Sequence, residues 1–461
     1  MSAARRNGGI SYWYASTATP RRRAPLDGPR TADVAIVGGG FTGLWAAYYL
    51  KTLEPSLDVV ALEREFAGFG ASGRNGGWLS SAFSASRDKL AAARGRDSVL
   101  ALQRTMQATV DEVIDVCARE GIEADVVKHG VLSVARGAAQ QARLEAEIAE
   151  DARWDLREPD VVELTRAQAD ARVRVAGATG AIFSPHCARV HPAKLVQGLA
   201  AAVERLGVRI YEGTEVRGVD PGVARTARGD VRAGHVLICL EGFTAGLEGH
   251  RRDWVPLNSA MVVTEPLTAA AWREIGWDGA ELLGDGAHAY MYAQRTADGR
   301  IALGGRGVPY RFGSRTDVDG RTQERTIRGL VRILHDMFPA ARGAAVEHAW
   351  CGVLGVPRDW SPLVRVDASS GVGIAGGYVG NGVTTSNLAG HTLADLVLGR
   401  ETERTALPWV GKTVRRWEPE PLRFAGAHLV YGLYRAADRR EAAGLPRTSR
   451  LAKAASLLAG R

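Results

Sequence analysis

Three glycines with the spacing GxGxxG could hold a phosphate group. Gly38, Gly40 and Gly43 lie between a short apolar run, residues 33–37, and a helical pattern that begins at Phe41. Glycine at these positions permits a tight turn and close approach of a pyrophosphate, while the helix start supplies free N–H groups and the positive end of its dipole. The spacing alone is weak evidence in a chain with 55 glycines. Its place between a strand and a helix nevertheless predicts a dinucleotide site.

A carboxylate stands where the ribose of such a dinucleotide would lie. Glu63 ends a second apolar run, residues 57–63, and is 20 residues beyond Gly43. A carboxylate at the end of the second strand accepts hydrogen bonds from a ribose diol and repels a 2′-phosphate. These segments predict a βαβ unit, but they do not separate NAD from FAD.

The next glycine-rich stretch, here named the glycine loop (residues 68–78), favours FAD. It reads GFGASGRNGGW and contains five glycines without an apolar run. An NAD domain normally continues from its second strand into another crossover helix, whereas a polar, extended glycine stretch suits backbone that lies along a longer cofactor. The alternative is a surface loop. We expect a branched residue at Gly76 or Gly77 to remove the cofactor.

A third glycine-rich segment, here named the glycine turn (residues 376–384), lies more than 300 residues from the first. It reads GGYVGNGVT and precedes an apolar helical pattern. A glycine turn at a helix start can place N–H groups and a positive dipole end beside an anionic group, such as a flavin that gains negative charge on reduction. The alternative is a simple strand–helix turn.

The three motifs resemble those of the FAD-dependent oxidoreductases of the D-amino-acid oxidase and sarcosine oxidase (glycine oxidase-like) superfamily. The segments that carry the resemblance are DVAIVGGGFTGLWAAYYL, GASGRNGG, VHPAKLVQGLA and GYVGNGVTTSNLAGHTLADLVLG, which extend over residues 31–405. Within the superfamily, the chain is similar to γ-glutamylputrescine oxidoreductase-like enzymes, which share the GASGRNGG sequence and a WCG…SPLV arrangement at 350–364. The resemblance implies FAD, a β-sheet substrate domain, and oxidation of a C–N bond by hydride transfer to flavin N5.

The resemblance also implies a set of cofactor-binding positions, from the pyrophosphate through the adenosine to the flavin ring. The set is Gly38, Gly40, Phe41, Thr42, Gly43, Glu63, Arg64, Gly70, Ala71, Ser72, Asn75, Gly76, Gly77, Val216, Gly377, Gly380, Gly382, Val383 and Thr384.

Three positions depart from the family pattern. Ala302 stands where sarcosine oxidase-like members place a lysine that promotes reaction with oxygen. Thr384 replaces a lysine that grips a substrate carboxylate, and Gly352 stands where some relatives attach the flavin through a cysteine. The resemblance therefore implies non-covalent FAD, and it weakens the case for rapid use of oxygen and for a simple α-amino acid as substrate.

Candidates for the catalytic, substrate-facing residues lie in a β-rich segment. Tyr290 and Tyr292 are expected on the same side of a sheet, where they could wall the substrate pocket or form an aromatic core pair. Arg306 ends the next strand and could meet an acidic group of the substrate, or lie solvated at the surface. His186 and His191 have no further ligand spaced near them, so no metal is expected.

The elements that position these residues predict an α/β (α+β) fold, a discontinuous Rossmann-like FAD-binding domain with an inserted β-sheet-rich substrate domain. The expected ranges are 1–30 for a basic N-terminal arm, 31–90, 185–250 and 345–405 for the FAD-binding domain, 91–184 and 251–344 for the substrate domain, and 406–461 for a basic, helical C-terminal tail.

The formal charge of +8 is concentrated at the two ends. Residues 1–30 carry +5 and residues 412–461 carry +7, so the body between them is about −4. Nucleic acid is therefore not an expected partner. The tail can form a basic helix that packs back on the body or docks at a membrane surface.

Cysteine spacing and hydropathy indicate the compartment. The four cysteines have no paired spacing, which is typical of reduced thiols in a cytoplasm. No apolar run reaches the roughly 18 residues that span a bilayer. We therefore expect a cytoplasmic protein without a transmembrane segment.

The resemblance to this superfamily implies an enzyme that oxidises a primary or secondary amine, or an amino acid derivative, to an imine that hydrolyses. No acid–base residue is strictly required, because positioning of a neutral amine supplies much of the rate enhancement. The electron acceptor could be O2, or it could be a quinone or carrier protein. A FAD-binding scaffold without turnover is a third hypothesis.

Overall fold

The structure is a computed structural model that describes residues 3–18, 20, 22–306, 310–317 and 319–460, with the side chain of Arg306 outside the described part. Two large sheets organise these residues, and helices pack on both. The mixed α/β class that the sequence predicts is confirmed.

The strands of the described residues are numbered in chain order. They are β1 (Arg6–Asn7), β2 (Arg30–Val37), β3 (Val59–Leu62), β4 (Trp78–Ser80), β5 (Val127–Lys128), β6 (Val131–Ala135), β7 (Val162–Thr165), β8 (Gly180–Ser184), β9 (Cys187–Arg189), β10 (Arg209–Tyr211), β11 (Val216–Asp220), β12 (Val223–Thr226), β13 (Val231–Ile238), β14 (Trp254–Thr264), β15 (Leu282–Asp285), β16 (Met291–Arg295), β17 (Ile301–Arg306), β18 (Val346–Pro357), β19 (Leu363–Val366) and β20 (Val372–Gly376).

The α-helices are numbered in the same way, and short 3-10 turns at Ala71–Gly73, Glu241–Gly246, Phe312–Ser314 and Pro339–Ala341 accompany them. They are α1 (Tyr12–Ala15), α2 (Phe41–Leu53), α3 (Arg87–Arg94), α4 (Arg96–Arg119), α5 (Ala138–Arg153), α6 (Arg166–Asp170), α7 (Pro192–Arg205), α8 (Ala269–Ile275), α9 (Glu324–Met337), α10 (Gly382–Val397), α11 (Leu422–Ala442) and α12 (Arg450–Ala459).

The first sheet has eight strands around a parallel core. Strands β10, β3, β2 and β13 lie side by side, β12 and β11 continue one edge antiparallel, and β20 and β19 join beside the end of β13. Residues 34–37 of β2 and all of β3 are buried, as expected where parallel strands are covered on both faces. Helices α2, α4, α7 and α10 pack together over one face.

The second sheet has nine strands in the order β1, β18, β14, β17, β16, β15, β6, β8, β7. The long strands β14 and β18 pair antiparallel from Trp254 opposite Pro357 to Thr264 opposite Val346. Helices α8 and α9 cover one face. The opposite face meets the glycine loop, since Phe69 shares a buried cluster with Val263 on β14. A small third sheet contains β4, β9 and β5.

The sheets divide the chain differently from the expected domain ranges at three places. Strand β18 lies within 345–405, which was assigned to the FAD-binding domain, but it pairs in the nine-stranded sheet. Helix α4 lies within 91–184 but packs with α2 and α10. Strand β1 belongs to the N-terminal arm and pairs with β18. Each placement depends on a long-range contact that local sequence patterns do not report.

The C-terminal tail packs back on the body through α11 and α12. Tyr431 and Tyr434 of α11 are buried with Ala455 of α12 and with Val255 and Val356 of the nine-stranded sheet. This contact is the first of the two arrangements that the sequence suggested. None of the helices in the described ranges has the length and hydropathy needed to cross a membrane.

Candidate functional site

A pocket of about 1220 Å³ opens at the carboxyl ends of β2, β3 and β13. Ligands of open α/β sheets bind at this edge, outside the carboxyl ends of the strands. The predicted positions that line the pocket are Gly38, Gly40, Phe41, Thr42, Glu63, Arg64, Gly70, Ala71, Ser72, Asn75, Val216, Gly380, Gly382 and Val383. The three glycine motifs therefore contribute to one pocket, although they lie far apart in the sequence.

The start of α2 is packed so closely that only glycine fits at position 43. A β-carbon on Gly43 would lie 2.1 Å from the carbonyl oxygen of Gly38 and 2.9 Å from the Ile36 side chain. Gly43 itself does not line the pocket but lies behind its wall. The N–H of Phe41 donates to Ser72 Oγ at 2.8 Å, which fastens the glycine loop to the helix start.

Glu63 lies in the pocket wall directly after β3. Its carboxylate accepts the N–H groups of Gly39 at 2.8 Å and Glu65 at 2.9 Å. Desolvation raises the pKa of Glu63, and the two N–H groups oppose that shift. Because a carboxylate offers about four acceptor positions, two donors leave capacity for the hydroxyl groups of a ribose.

The glycine loop is held by buried side chains on the side away from the pocket. Trp13 Nε1 donates to the Asn75 carbonyl at 2.8 Å, and Trp350 Nε1 donates to the Arg74 carbonyl at 2.9 Å. Arg74 is 2% exposed, and its guanidinium donates to the Phe69 carbonyl at 2.7 Å. The loop therefore presents a fixed backbone to the pocket. Trp13 belongs to the aromatic stretch 12–14 of the N-terminal arm, which was expected to hold the arm against the body, and its hydrogen bond joins the arm to this loop.

Gly76 and Gly77 do not line the pocket and face the nine-stranded sheet instead. A β-carbon on Gly76 would lie 2.7 Å from the ring of Tyr292. One on Gly77, where φ is +69°, would lie 2.1 Å from Gln294 Nε2. Gln294 Nε2 also donates to the Gly76 carbonyl at 2.6 Å. These two glycines thus join the glycine loop to the second sheet, a contact that their place in the motif did not indicate.

A hydrogen bond joins the first glycine motif to the glycine turn. Thr42 Oγ1 and Tyr378 Oη are 2.9 Å apart, and both side chains are buried. Val379 has a φ of +54°, which is rare for a β-branched residue. Its side chain is buried with Val255 and Val356. This packing stabilises a strained backbone at the pocket edge.

Glu241, which sequence reasoning missed, joins the glycine turn to β18 through its carboxylate. Its carboxylate accepts the N–H groups of Gly377 at 2.7 Å, Gly355 at 3.1 Å and Tyr378 at 3.3 Å. Burial raises the pKa of Glu241 to about 7, against the opposing effect of those donors. The local signal was a glutamate shortly after a buried strand, which is the pattern that identified Glu63.

Two predicted positions in the glycine turn lie outside the pocket lining. Gly377, with a φ of +77°, packs against Pro357, which a β-carbon there would approach to 2.3 Å. Thr384 is fully buried in the first turn of α10. Both positions shape the turn and do not face the pocket space.

The predicted residue Tyr292 lies behind the glycine loop, outside the lining of the pocket, to which the nine-stranded sheet contributes Val353 and Leu354. Tyr292, on β16, has its hydroxyl 2.7 Å from Ser259 Oγ, and its ring meets Trp78 edge to face at 6.2 Å. Gly304, opposite Tyr292 on β17, leaves space for this ring, because a β-carbon there would lie 2.3 Å from it. Tyr292 is therefore fixed against the glycine loop by neighbours on three strands.

Tyr290 lies beside the glycine turn and outside the lining of the pocket. Its hydroxyl is 3.8 Å from the place a β-carbon would take on Gly380 of the glycine turn. Tyr290 and Tyr292 therefore both face the side of the sheet on which the pocket lies. Arg306 ends β17, but its side chain lies outside the described residues.

The cysteines are buried free thiols. Cys239 lines the pocket beside the first glycine motif, and burial raises its pKa to about 12. Cys351 lies on β18 with its Sγ 3.2 Å from the Arg321 carbonyl, and burial raises its pKa to about 11. Gly352, the next residue, faces Arg74 of the glycine loop. Strand alternation therefore directs the Cys351 side chain away from the loop.

One cluster has the residue types of a metal site. The ligand atoms of His288, Asp438 and Glu441 lie within 4.8 Å of one another. Arg143 already neutralises Glu441 at 2.7 Å, and Asp438 accepts two backbone N–H groups of the segment at His288. These contacts fasten α11 to the segment that precedes Tyr290, and they account for the cluster without a metal ion.

A family model described as FAD dependent oxidoreductase matches residues 33–396 of the chain. The match extends over all three glycine motifs and over most of both large sheets. The chain belongs to this family of FAD-dependent oxidoreductases.

Individual relatives agree with the family. The chain is 32% identical over 400 residues to γ-glutamylputrescine oxidoreductase of Escherichia coli strain K12, across 84% of this chain and 89% of that protein. The crystal structure of glycine oxidase from Geobacillus kaustophilus matches with a TM-score of 0.65 and 23% identity, covering 81% of this chain and 96% of that one. L-proline dehydrogenase from P. horikoshii matches with a TM-score of 0.67 and 18% identity, covering 83% and 98%. The solved structures establish the fold.

FAD is the cofactor of the family, and the residues of this FAD-dependent oxidoreductase fit it. Closely packed glycines at Gly38 and Gly43 leave room for a pyrophosphate at the start of α2. Glu63 keeps acceptor capacity for a ribose, and the glycine turn offers a second helix start at Gly382.

Proposed function

We propose that this FAD-dependent oxidoreductase oxidises a primary or secondary amine, or an amino acid derivative, at the carbon next to nitrogen. FAD, when bound, would supply the electron sink at N5 for a hydride from that carbon, and the resulting imine would be hydrolysed by water to a carbonyl compound and an amine or ammonia. The name of the Escherichia coli relative supports this reaction class.

The observation that carries the proposal is the position of two tyrosines beside the glycine turn and the glycine loop. The Tyr290 hydroxyl lies beside Gly380, which lines the pocket. Tyr292 packs on Gly76 of the glycine loop. A small substrate between the tyrosines would lie against the flavin end of the pocket.

These side chains can orient an amine without acting as an acid or a base. The Tyr292 hydroxyl is fixed by Ser259 and can exchange a hydrogen bond with the amine nitrogen. The Trp78 ring supplies an apolar face beside it. An amine that enters the site neutral needs no further proton transfer before it is oxidised, so positioning is the main contribution of the protein.

A quinone or a carrier protein is the favoured electron acceptor. Ala302, where the family resemblance places an oxygen-activating lysine, is fully buried in a cluster with Trp350 and Val263. This position therefore offers no cation to promote reaction with oxygen. An oxidase that uses O2 is the competing form of the proposal.

We further propose that FAD is bound without a covalent link and that the enzyme works in the cytoplasm. The high pKa values of Cys239 and Cys351 disfavour the thiolates that a covalent bond to flavin would use. Four unpaired thiols suit a reducing compartment. We assign the lining residues as cofactor contacts and the two large sheets as the cores of the FAD-binding and substrate domains.

The test is anaerobic reduction of the FAD-loaded protein by a panel of primary, secondary and N-methyl amines. We expect at least one amine to bleach the oxidised flavin band within seconds, and reoxidation in air to take minutes. Reoxidation within milliseconds to seconds would instead support the oxidase. A flavin that dithionite reduces but that no amine reduces would support a scaffold without turnover.

A further inference from the structure

The C-terminal hairpin, defined here as residues 422–459 with α11, α12 and the turn between them, carries an exposed apolar surface. Five large hydrophobic residues are exposed in the described part of the chain, and four of them lie on this hairpin. The four, which are from 53% to 82% exposed, are Leu422, Leu429, Leu457 and Leu458. The fifth, Phe312, packs edge to face on Phe424 of α11 at 5.7 Å. Such a concentration of apolar side chains marks an interaction surface.

A groove of about 760 Å³, here named the tail groove, opens between the hairpin and the nine-stranded sheet. Its lining includes Leu422, Gly426, Leu429, Leu458, Val255 and Val356. Polar side chains at its border pair within the protein. Arg358 donates to Glu418 at 3.2 Å, and Trp417 Nε1 donates to the Val356 carbonyl at 2.7 Å. The groove therefore offers an occupant mainly apolar contacts.

The hairpin also carries unpaired positive charge. Its two carboxylates are engaged, since Asp438 accepts two backbone N–H groups near His288 and Glu441 pairs with Arg143 at 2.7 Å. Five exposed cations form no salt bridge with any described residue, namely Arg439, Arg440, Arg447, Arg450 and Lys453. The outward charge of the hairpin is therefore positive.

The two helices of the hairpin run antiparallel. Tyr434 Oη lies 3.0 Å from Ser456 Oγ, and the Ser449 N–H donates to Glu441 at 2.8 Å. Positions on α12 therefore fall as positions on α11 rise. The last turn of α11 and the first turn of α12 lie at one end of the hairpin and hold the cations, while the leucines lie toward the other end.

Helical periodicity places cations and leucines on the same faces. On α11, Arg440 follows Leu422 by 18 residues, which is five turns at 3.6 residues per turn, so both side chains project in the same direction. On α12, Lys453 precedes Leu457 by four residues and shares its face. An apolar partner with negative charge can therefore contact both groups at once.

An anionic membrane surface fits this pattern better than other occupants do. A second copy of the chain would bring like charges together, which is unfavourable at an interface. Nucleic acid would leave the leucines without an apolar partner. A bilayer with anionic lipids offers acyl chains to the leucines and phosphates to the cations.

We propose that the C-terminal hairpin docks this protein on an anionic membrane surface. The leucines enter the boundary between headgroups and acyl chains, and the cations contact lipid phosphates. The tail groove then faces the bilayer, and its residues Val255 and Val356 pack on Val379 of the glycine turn. Docking thus directs the glycine-turn side of the pocket toward a bilayer that can carry a quinone. The inference does not depend on the proposed function, because docking requires no amine.

The test is co-sedimentation of the FAD-loaded protein with vesicles of phosphatidylglycerol and phosphatidylethanolamine, compared with vesicles of phosphatidylcholine. We expect at least about tenfold tighter binding to the anionic vesicles, and a smaller difference as NaCl screens the cations. The double change Leu457→Gln and Leu458→Gln should weaken binding to anionic vesicles about tenfold. Arg440→Gln should weaken it about fivefold.

Arg332→Gln is the matched control. Arg332 is exposed and forms no salt bridge with any described residue, and its helix, α9, packs in a different hydrophobic cluster. This variant should bind vesicles as the native protein does. Flavin occupancy and circular dichroism confirm that each variant is folded.

Equal binding to both kinds of vesicle, or native affinity in the double leucine variant, would overturn the proposal. A native dimer that the leucine changes convert to a monomer, without vesicle binding, would assign the surface to a second copy instead. Failure of the proposed function is seen separately, since a flavin that no amine bleaches leaves the vesicle result unchanged.

Discussion

The side of the pocket at the parallel sheet, here named the first wall, presents mainly backbone to its ligand, whereas the face of the nine-stranded sheet behind the glycine loop, here named the second wall, presents side chains. On the first wall, Gly43 is indispensable because of what a β-carbon would strike, namely the Gly38 carbonyl oxygen at 2.1 Å. On the second, Tyr292 is fixed by Ser259, Trp78 and the space above Gly304. The first wall depends on glycines, which lack a β-carbon, and the second depends on large side chains that pack together.

This difference predicts which substitutions should affect cofactor binding and which should affect the substrate. A backbone wall accepts an invariant ligand such as FAD and fails when a side chain is added. A side-chain wall can change its substrate by exchange of a few residues while the fold is kept. Substitutions in the first wall should therefore reduce FAD binding, and substitutions in the second should reduce amine oxidation. Four substitutions test this separation.

The largest effect is expected at Gly43. Gly43→Ala should lower FAD affinity by about 100-fold or more, because its β-carbon would force the start of α2 away from β2 and disorder the phosphate site. Gly329→Ala is the control, since this helical glycine has no neighbour within 4 Å. Flavin occupancy after gel filtration, with circular dichroism to confirm folding, gives the comparison. Full flavin occupancy in Gly43→Ala would show that FAD binding does not depend on a glycine at this position.

Gly76→Val tests the boundary between the walls. The sequence motif predicts loss of FAD, but in the structure a β-carbon added at Gly76 would lie 2.7 Å from the Tyr292 ring. We expect FAD to be retained and kcat/KM for the amine to fall about tenfold, because Tyr292 must move. Anaerobic reduction rates and flavin content, measured on one preparation, separate the two outcomes. Loss of flavin with normal reduction in the remaining holoenzyme would contradict the division into two walls.

Glu241→Gln tests whether the buried carboxylate at the glycine turn contributes a pH-dependent part of the stability. The folded pKa of Glu241 is raised to about 7, so the stability from its bound proton is fully present below about pH 4.5 and is lost as pH rises towards 7. The free energy of unfolding of the native protein, relative to the variant, should fall by about 1–2 kcal/mol between pH 5 and pH 8, since the pocket keeps some access to water. Urea unfolding of FAD-saturated protein at both pH values measures it. Parallel pH dependences for the two proteins would show that Glu241 is not the titrating group.

The smallest effect is expected for Tyr292→Phe. This change removes the hydrogen bond to Ser259 and keeps the ring, at a cost of about 1 kcal/mol. We expect kcat/KM for the amine to fall a few-fold while flavin occupancy and the thermal midpoint stay near the native values. A larger loss in flavin content than in kcat/KM would place this hydroxyl on the cofactor side.

Sequence reasoning reached the first wall because its determinants are local. Gly38, Gly40 and Glu63 lie within one βαβ unit, and strand, turn and helix signals surround them. Their exact roles at the cofactor remain predictions, but their place in one pocket follows from short-range patterns and from the order of the three motifs.

The second wall could not be assembled in this way. Trp78 and Tyr292 meet across more than 200 residues, and Ser259 joins them from another strand. Strand pairing sets these contacts, and the pattern of a single strand does not reveal its partner. Glu241 was missed for a related reason, since its three donors come from β18 and the glycine turn.

The most direct test of the account is a single anaerobic turnover of the FAD-loaded enzyme with a limiting amine. We predict that the flavin band bleaches in proportion to the amine added and that one carbonyl product forms for each flavin reduced. The contradicting result would be an unchanged flavin spectrum with every amine tested, in protein whose FAD is fully bound and is reduced by dithionite.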